Sequence, residues 1–124
     1  MHNTGNISGL RADGSWDLPE RLNMAAQCLS HPAEALALID MTGLARRGIS
    51  YGMLAMMTDR LARYLLTRIH PGDRVGVLLS QSPWCAAAHL AIWKAGGISV
   101  PLFKLFKRDA LASRAGDAGV QFVF

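Results

Sequence analysis

Cysteine is scarce in this chain. Cys28 and Cys85 are the only two in 124 residues, too far apart for a metal or redox motif. Both have apolar neighbours and are expected to be reduced thiols in the core, as suits a cytoplasmic protein. Long apolar runs are lacking as well. The longest, residues 84–93, is broken by His89 and falls short of the roughly 20 residues that cross a bilayer, so no membrane span is expected. Residues 1–6 lack a cationic start followed by an apolar stretch, so no secretory signal is read there. There is no internal repeat and no low-complexity tract. The four histidines, His2, His31, His70 and His89, show neither helical pairing nor a carboxylate at ligand spacing, and no metal site is expected from them.

What is present is ordinary globular composition, 51% apolar with 18% charged residues, enough for one domain with one core. Thirteen basic against nine acidic residues leave a formal charge of +4. The basic residues, among them Arg46, Arg47, Arg60, Arg63, Arg68, Lys107 and Arg108, are spread over separate segments without interleaved aromatics. That pattern predicts a generically basic surface and no nucleic-acid partner.

Residues 1–16 hold Gly5, Gly9 and Gly14 with little periodicity and read as an irregular arm; residues 17–124 read as the folded domain. Asp17 with Pro19 predicts a helix start, and Leu18, Leu22, Ala25, Ala26 and Leu29 continue the stripe to His31. Residues 35–40 read as a strand and 43–48 as a basic loop. Leu54, Met57, Leu61 and Leu65 recur at helical spacing from Ser50 onward. The methionines there read as core filler, and Asp59 with Arg63 as a solvated pair one turn apart. Residues 74–80 predict a strand buried on both faces. Ser82 before Pro83 predicts the cap of a buried helix that ends at Gly96 and Gly97. A strand over 98–102, a helix over 109–115 and a strand over 120–124 follow. Strands alternating with helices from residue 35 onward predict an α/β fold, a partial parallel sheet flanked by helices.

Gly48, Ser50 and Gly52 satisfy the spacing of a hydrolase nucleophile elbow, but 44–48 reads as a charged loop where an elbow needs a strand. Ser50 is therefore expected to be a helix cap. Gly96 and Gly97 follow a helix, at the negative end of its dipole, and read as a stop rather than a phosphate cradle. The stretch 4–9 lacks the lysine of a phosphate loop. His89, on an apolar helix, is expected to be a hydrogen-bonded core histidine.

Two segments carry more. Ile49-Ser50-Tyr51-Gly52-Met53-Leu54 resembles the first core motif of the adenylate-forming enzymes, the AMP-dependent synthetase and ligase family, with Met53 where that motif has glutamate. Trp93-Lys94-Ala95-Gly96-Gly97-Ile98-Ser99-Val100-Pro101-Leu102 is similar to the second, Leu-Lys-Ala-Gly-x-x-x-Val-Pro-Leu. Between them, Gly72-Asp73-Arg74-Val75 and Ser80-Gln81-Ser82-Pro83 resemble two further family segments in the same order. The resemblance runs over about residues 20–124, and Pro101-Leu102-Phe103 with Leu105-Phe106 points to the acyl-CoA synthetase branch.

The resemblance implies the N-terminal lobe of an acyl-CoA synthetase-like fold. The full-length enzyme would join a carboxylic or fatty acid to ATP, with Mg²⁺, as an acyl-adenylate and then pass the acyl group to coenzyme A. The family's phosphate loop, ribose-binding segment and mobile-domain lysine have no counterpart here. The chain is thus expected to be an N-terminal fragment, not catalytic alone, with no catalytic residue, no metal ligand and no cofactor of its own. Ser50, Tyr51, Lys94, Ala95, Gly96 and Pro101 are expected to be structural. Lys104 is the one candidate cofactor contact: Phe103–Phe106 lies where the resemblance puts the family's Phe-Gly-Gly-Phe coenzyme A loop, with Lys104 and Leu105 in place of both glycines. An uncharged apolar strand at 120–124 predicts self-association. The rivals are a stand-alone α/β binding module and, behind it, a serine hydrolase using Ser50.

Overall fold

The computed structural model describes residues 9–124. His2 and most of the glycine-containing stretch 4–9 lie outside the described residues. The elements, in order, are α1 (Met24–Cys28), β1 (Leu36–Asp40), β2 (Arg47–Ser50), α2 (Tyr51–Leu65), β3 (Arg74–Val77), α3 (Pro83–Lys94), β4 (Ile98–Pro101), α4 (Arg108–Asp117) and β5 (Phe122–Val123). The fold is α/β, as expected, with a three-stranded parallel sheet in the order β4-β3-β5.

The first two strands depart from expectation. β1 and β2 form a separate antiparallel pair rather than joining the parallel sheet, and the supposed loop is a strand from Arg47 onward. Parallel pairing needs a crossover of about a dozen residues or more, and the connection over 41–46 is too short. Asp40 closes the hairpin: its carboxylate accepts from the Thr42 hydroxyl at 2.7 Å, the Thr42 backbone N–H at 3.0 Å and Arg47 at 3.0 Å. These bonds, those from Thr42 first, hold the Asp40 carboxyl below the usual carboxylate range.

The first helix begins later than Asp17 suggests. Asn23 caps α1, accepting from the Ala26 N–H at 3.2 Å while its own amide donates to the Trp93 carbonyl at 3.2 Å. That bond to α3 selects the cap. Asp17 is instead tied to Arg11, beside a bridge between Leu10 and Trp16.

The core is built on α2 and α3. Leu54, Thr58, Ala62 and Leu65 form the buried stripe of α2. Ala87, Ala88 and Ala91 on α3 are fully buried, and such small side chains let two helices approach closely. Ala62, Leu65, Val75, Val77, Ala88, Ala91 and Ile92 make one cluster, with Phe122 and Phe124 packed against it. Leu54, Ile49, Ala25, Ala87 and Leu90 make a second under the β1–β2 hairpin. Gly52 sits close to the chain before β1 where α2 begins: its N–H donates to the Ala33 carbonyl at 2.8 Å, and a Cβ there would sit 3.1 Å from that oxygen, closer than such contacts usually are.

Three further expectations are corrected. Cys85 is buried but Cys28 is exposed, because the short α1 turns it outward. Asp59 pairs with Lys94 of α3, not with Arg63, since α2 and α3 pack side by side. Met53 and Met56 are exposed rather than core filler, being off the stripe that Leu54 and Thr58 define.

Candidate functional site

β3 is the centre of the parallel sheet, and the chain leaves it toward β4 on one side and returns as β5 on the other. In open α/β sheets ligands bind beyond the carboxyl ends of the strands at such a reversal. Here that edge consists of the segments after β3 and β4 and the start of α3. Ser82 caps α3, accepting from the Cys85 N–H at 3.3 Å, with Pro83 at the first position. Across the edge the Lys104 ammonium donates to the Ser80 hydroxyl at 2.6 Å. The Phe103 and Phe106 rings meet edge-on at 5.6 Å, and the Arg114 guanidinium lies 4.0 Å over Phe106, which anchors the loop carrying Lys104.

Two cavities flank this edge. One of about 360 Å³ is lined by Val77, Ser80, His89, Pro101 and Lys104 among others. The other, of about 490 Å³, lies between the hairpin residues Asp40 and Thr42 and the α3 residues Ser82, Cys85 and His89. His89 borders both. Its Nδ1 is 2.6 Å from the Ser99 hydroxyl of β4, and burial pushes its pKa below the ordinary 6.5. The expected hydrogen-bonded histidine is therefore present, but at a cavity wall rather than inside the core. The partner Ser99 was missed from the sequence; strand alternation from Val100 would have placed it on the opposite face of β4.

The lowered pKa has a stability consequence. Between the folded value and 6.5 the unfolded chain binds more protons at this site. The contribution of neutral His89 is full above about pH 6.5 and is lost as pH falls toward the folded value. Thermal unfolding from about pH 8 to about pH 5 is expected to show a fall in Tm that is smaller in His89→Gln; equal falls would refute it.

The other sequence candidates lie away from this edge or serve the frame. A strand, β2, does lead into Ser50, contrary to the loop reading, but it belongs to an antiparallel hairpin. Ser50 has ordinary extended backbone at φ −76°, and its Oγ accepts from the Met53 N–H at 3.2 Å. It is a cap, and Ser50→Ala is expected to cost about 1 kcal/mol in denaturant unfolding. Tyr51 stacks on His31 with centroids 4.3 Å apart and donates its N–H to the Ala35 carbonyl at 2.9 Å. Ala95 is the buried C-cap of α3. Gly96 takes φ +83°, its N–H donating to the Trp93 carbonyl and that of Gly97 to the Ile92 carbonyl; this 5→2 and 6→1 pairing is a Schellman stop. Pro101 ends β4.

The family model for AMP-binding enzymes matches residues 24–124. This chain belongs to that family. Human mitochondrial acetyl-coenzyme A synthetase 2-like protein is 35% identical over 116 residues, 87% of this chain and 17% of that protein. Malpinin synthetase of Mortierella alpina is 38% identical over 73 residues, 58% of this chain and 1% of that protein. Among solved structures, Brucella canis acyl-CoA synthetase superposes with a TM-score of 0.77 at 27% identity, covering 82% of this chain and 20% of that one. The N-terminal subdomain of Klebsiella oxytoca NpsA superposes at 0.61 and 25% identity, covering 66% and 22%. The chain thus spans about a fifth or less of the length of these relatives. It corresponds to the N-terminal part of the fold of that family.

Proposed function

We propose that this chain is the N-terminal part of an acyl-CoA synthetase. In the first half-reaction a carboxylate oxygen attacks the α-phosphorus of ATP, the α–β anhydride bond breaks and pyrophosphate leaves. In the second, the thiolate of coenzyme A attacks the acyl carbon and AMP leaves, having been made a good leaving group by the first step. The observation that supports the acyl-CoA reading is coverage: the acetyl-coenzyme A synthetase likeness runs through 87% of the chain, against 77% for the nonribosomal peptide synthetase gloA of Glarea lozoyensis.

The described residues contribute unequally to this chemistry. Among them no three His, Cys, Asp or Glu side chains come together as a metal donor set, and the paired glycines 96–97 close a helix instead of opening one. No step through Mg²⁺ or the ATP phosphates is assigned to them. Lys104 does fit an anionic group. Its ammonium is exposed at the carboxyl edge of the sheet, held only by a neutral hydroxyl, so a coenzyme A phosphate can take that position in a charge-assisted bond. Its role is to orient the cofactor, not to react.

The test is on the longer protein that contains this segment. Acetate and longer carboxylates are expected to drive ATP–pyrophosphate exchange and thioester formation, and exchange driven only by amino acids would refute the acyl-CoA reading. Lys104→Ala is expected to raise the KM for coenzyme A about tenfold, the size of one charge-assisted bond, without slowing exchange. An unchanged KM would remove Lys104 from the site.

A further inference from the structure

The outer side of α2 carries a groove unconnected with the sheet edge. Met53, with Met56 and Met57 about one turn further on, faces Trp84, the second residue of α3, around a trough of about 510 Å³. Met57 leans on the second core cluster, but the others are not consumed by packing: Met53 is 41%, Met56 65% and Trp84 48% exposed. Arg60 and Arg63, further along the same helix, line the trough as well. The remaining charge there, Asp59, is already neutralised by Lys94. Neither arginine has a hydrogen-bond or ion-pair partner among the described residues. The result is an apolar floor with two uncompensated guanidinium groups beside it.

We propose that this groove docks an acidic amphipathic helix of a partner protein. Methionine and tryptophan form an adaptable apolar floor of the kind that receives the apolar face of a helix. The unpaired guanidiniums match carboxylates flanking such a face, in bidentate geometry. The alternatives fit less well. A small ligand needs most of its surface covered, and a trough whose walls are this exposed does not cover it. An anionic membrane is recognised by clusters of roughly four to eight cations, whereas this site has two beside a paired acid. A second copy of the chain would bring the same uncompensated arginines to the contact.

The probe is a fluorescein-labelled stapled helical peptide of about 14 residues, with leucines one turn apart and glutamates flanking them. Its twin carries lysines in place of the glutamates. Fluorescence anisotropy on the longer protein that contains this segment is expected to show the acidic peptide binding at least about tenfold more tightly than the basic one. In the Arg60→Glu, Arg63→Glu double variant that preference is expected to reverse. Reversal is a gain of binding that misfolding does not imitate, and both positions are exposed. With ¹³C-methyl methionine, the signals of Met53, Met56 and Met57 are expected to shift on binding while those of Met24 and Met41 stay. Equal binding of both peptides, shifts outside the three groove methionines, or the same shifts produced by phosphatidylserine vesicles in place of the peptide would overturn the proposal. So would a fall in the sedimentation mass of the chain itself on Met56→Lys, which would identify a second copy as the occupant.

Discussion

Replacing Ile92 by alanine is expected to destabilise the chain by about 2–5 kcal/mol, the cost of emptying a buried aliphatic position that cannot collapse. Ile92 is fully buried and belongs to the cluster that joins α2, α3 and β3. Its surroundings are held from several directions. The Ile92 carbonyl accepts the Gly97 N–H at 2.8 Å, which locks the end of α3. A Cβ on Gly97 would lie 3.1 Å from both Ile92 and Ile69, so the turn is already seated tightly against these side chains. A cavity opened beneath it therefore stays largely open. Since a domain has about 5–15 kcal/mol in total, the loss is a large fraction of its stability. Urea unfolding measures it: a lower midpoint with unchanged slope is expected. A loss under about 1 kcal/mol would show that the site repacks and that the core is less tightly built than its burial indicates.

Thr58→Val is expected to have the opposite sign. Thr58 is fully buried on the α2 stripe between Leu54 and Ala62, and its hydroxyl has no hydrogen-bond partner among the described residues. A buried polar atom left without a partner costs about 1–3 kcal/mol. Valine has nearly the same shape and is also β-branched, so the exchange removes the hydroxyl with little change in packing or in helix propensity. The variant is expected to gain about 1–2 kcal/mol, a rise in Tm of several degrees for a chain of this size. Lower stability in the valine variant would mean that the hydroxyl is satisfied in solution.

Local signals explain which parts of the fold were legible. Ser50, Ser82 and the Gly96–Gly97 pair mark helix ends by side-chain and backbone chemistry that acts within one turn, and each is found where the pattern places it. The parallel strands β3 and β4 could be read because β-branched runs bounded by turns need little context. The Asp17 start failed for the same reason in reverse: an aspartate before a proline stripe satisfies the local rule, but Asn23 has a bond to the Trp93 carbonyl on α3 that no local rule contains. The nucleophile-elbow spacing at Ser50 was also local, and the cap bond to Met53 decides its role.

The amino-acid order by itself determined most element types, the caps of α2 and α3 and, through motifs in register, the family that the comparison bears out over residues 24–124. These depend on neighbours within a few positions or on a pattern of identities, both of which a linear string contains. Only the tertiary structure decided the antiparallel pairing of β1 with β2, the transfer of Asp59 from Arg63 to Lys94, the bond between His89 and Ser99 and the exposure of Met53 and Met56. Each of these depends on which helix face and which strand edge meet across the chain. Amphipathic spacing shows that a face will be buried but not what will cover it, and side chains just off that face, like the groove methionines, are left to the packing of α3 against α2.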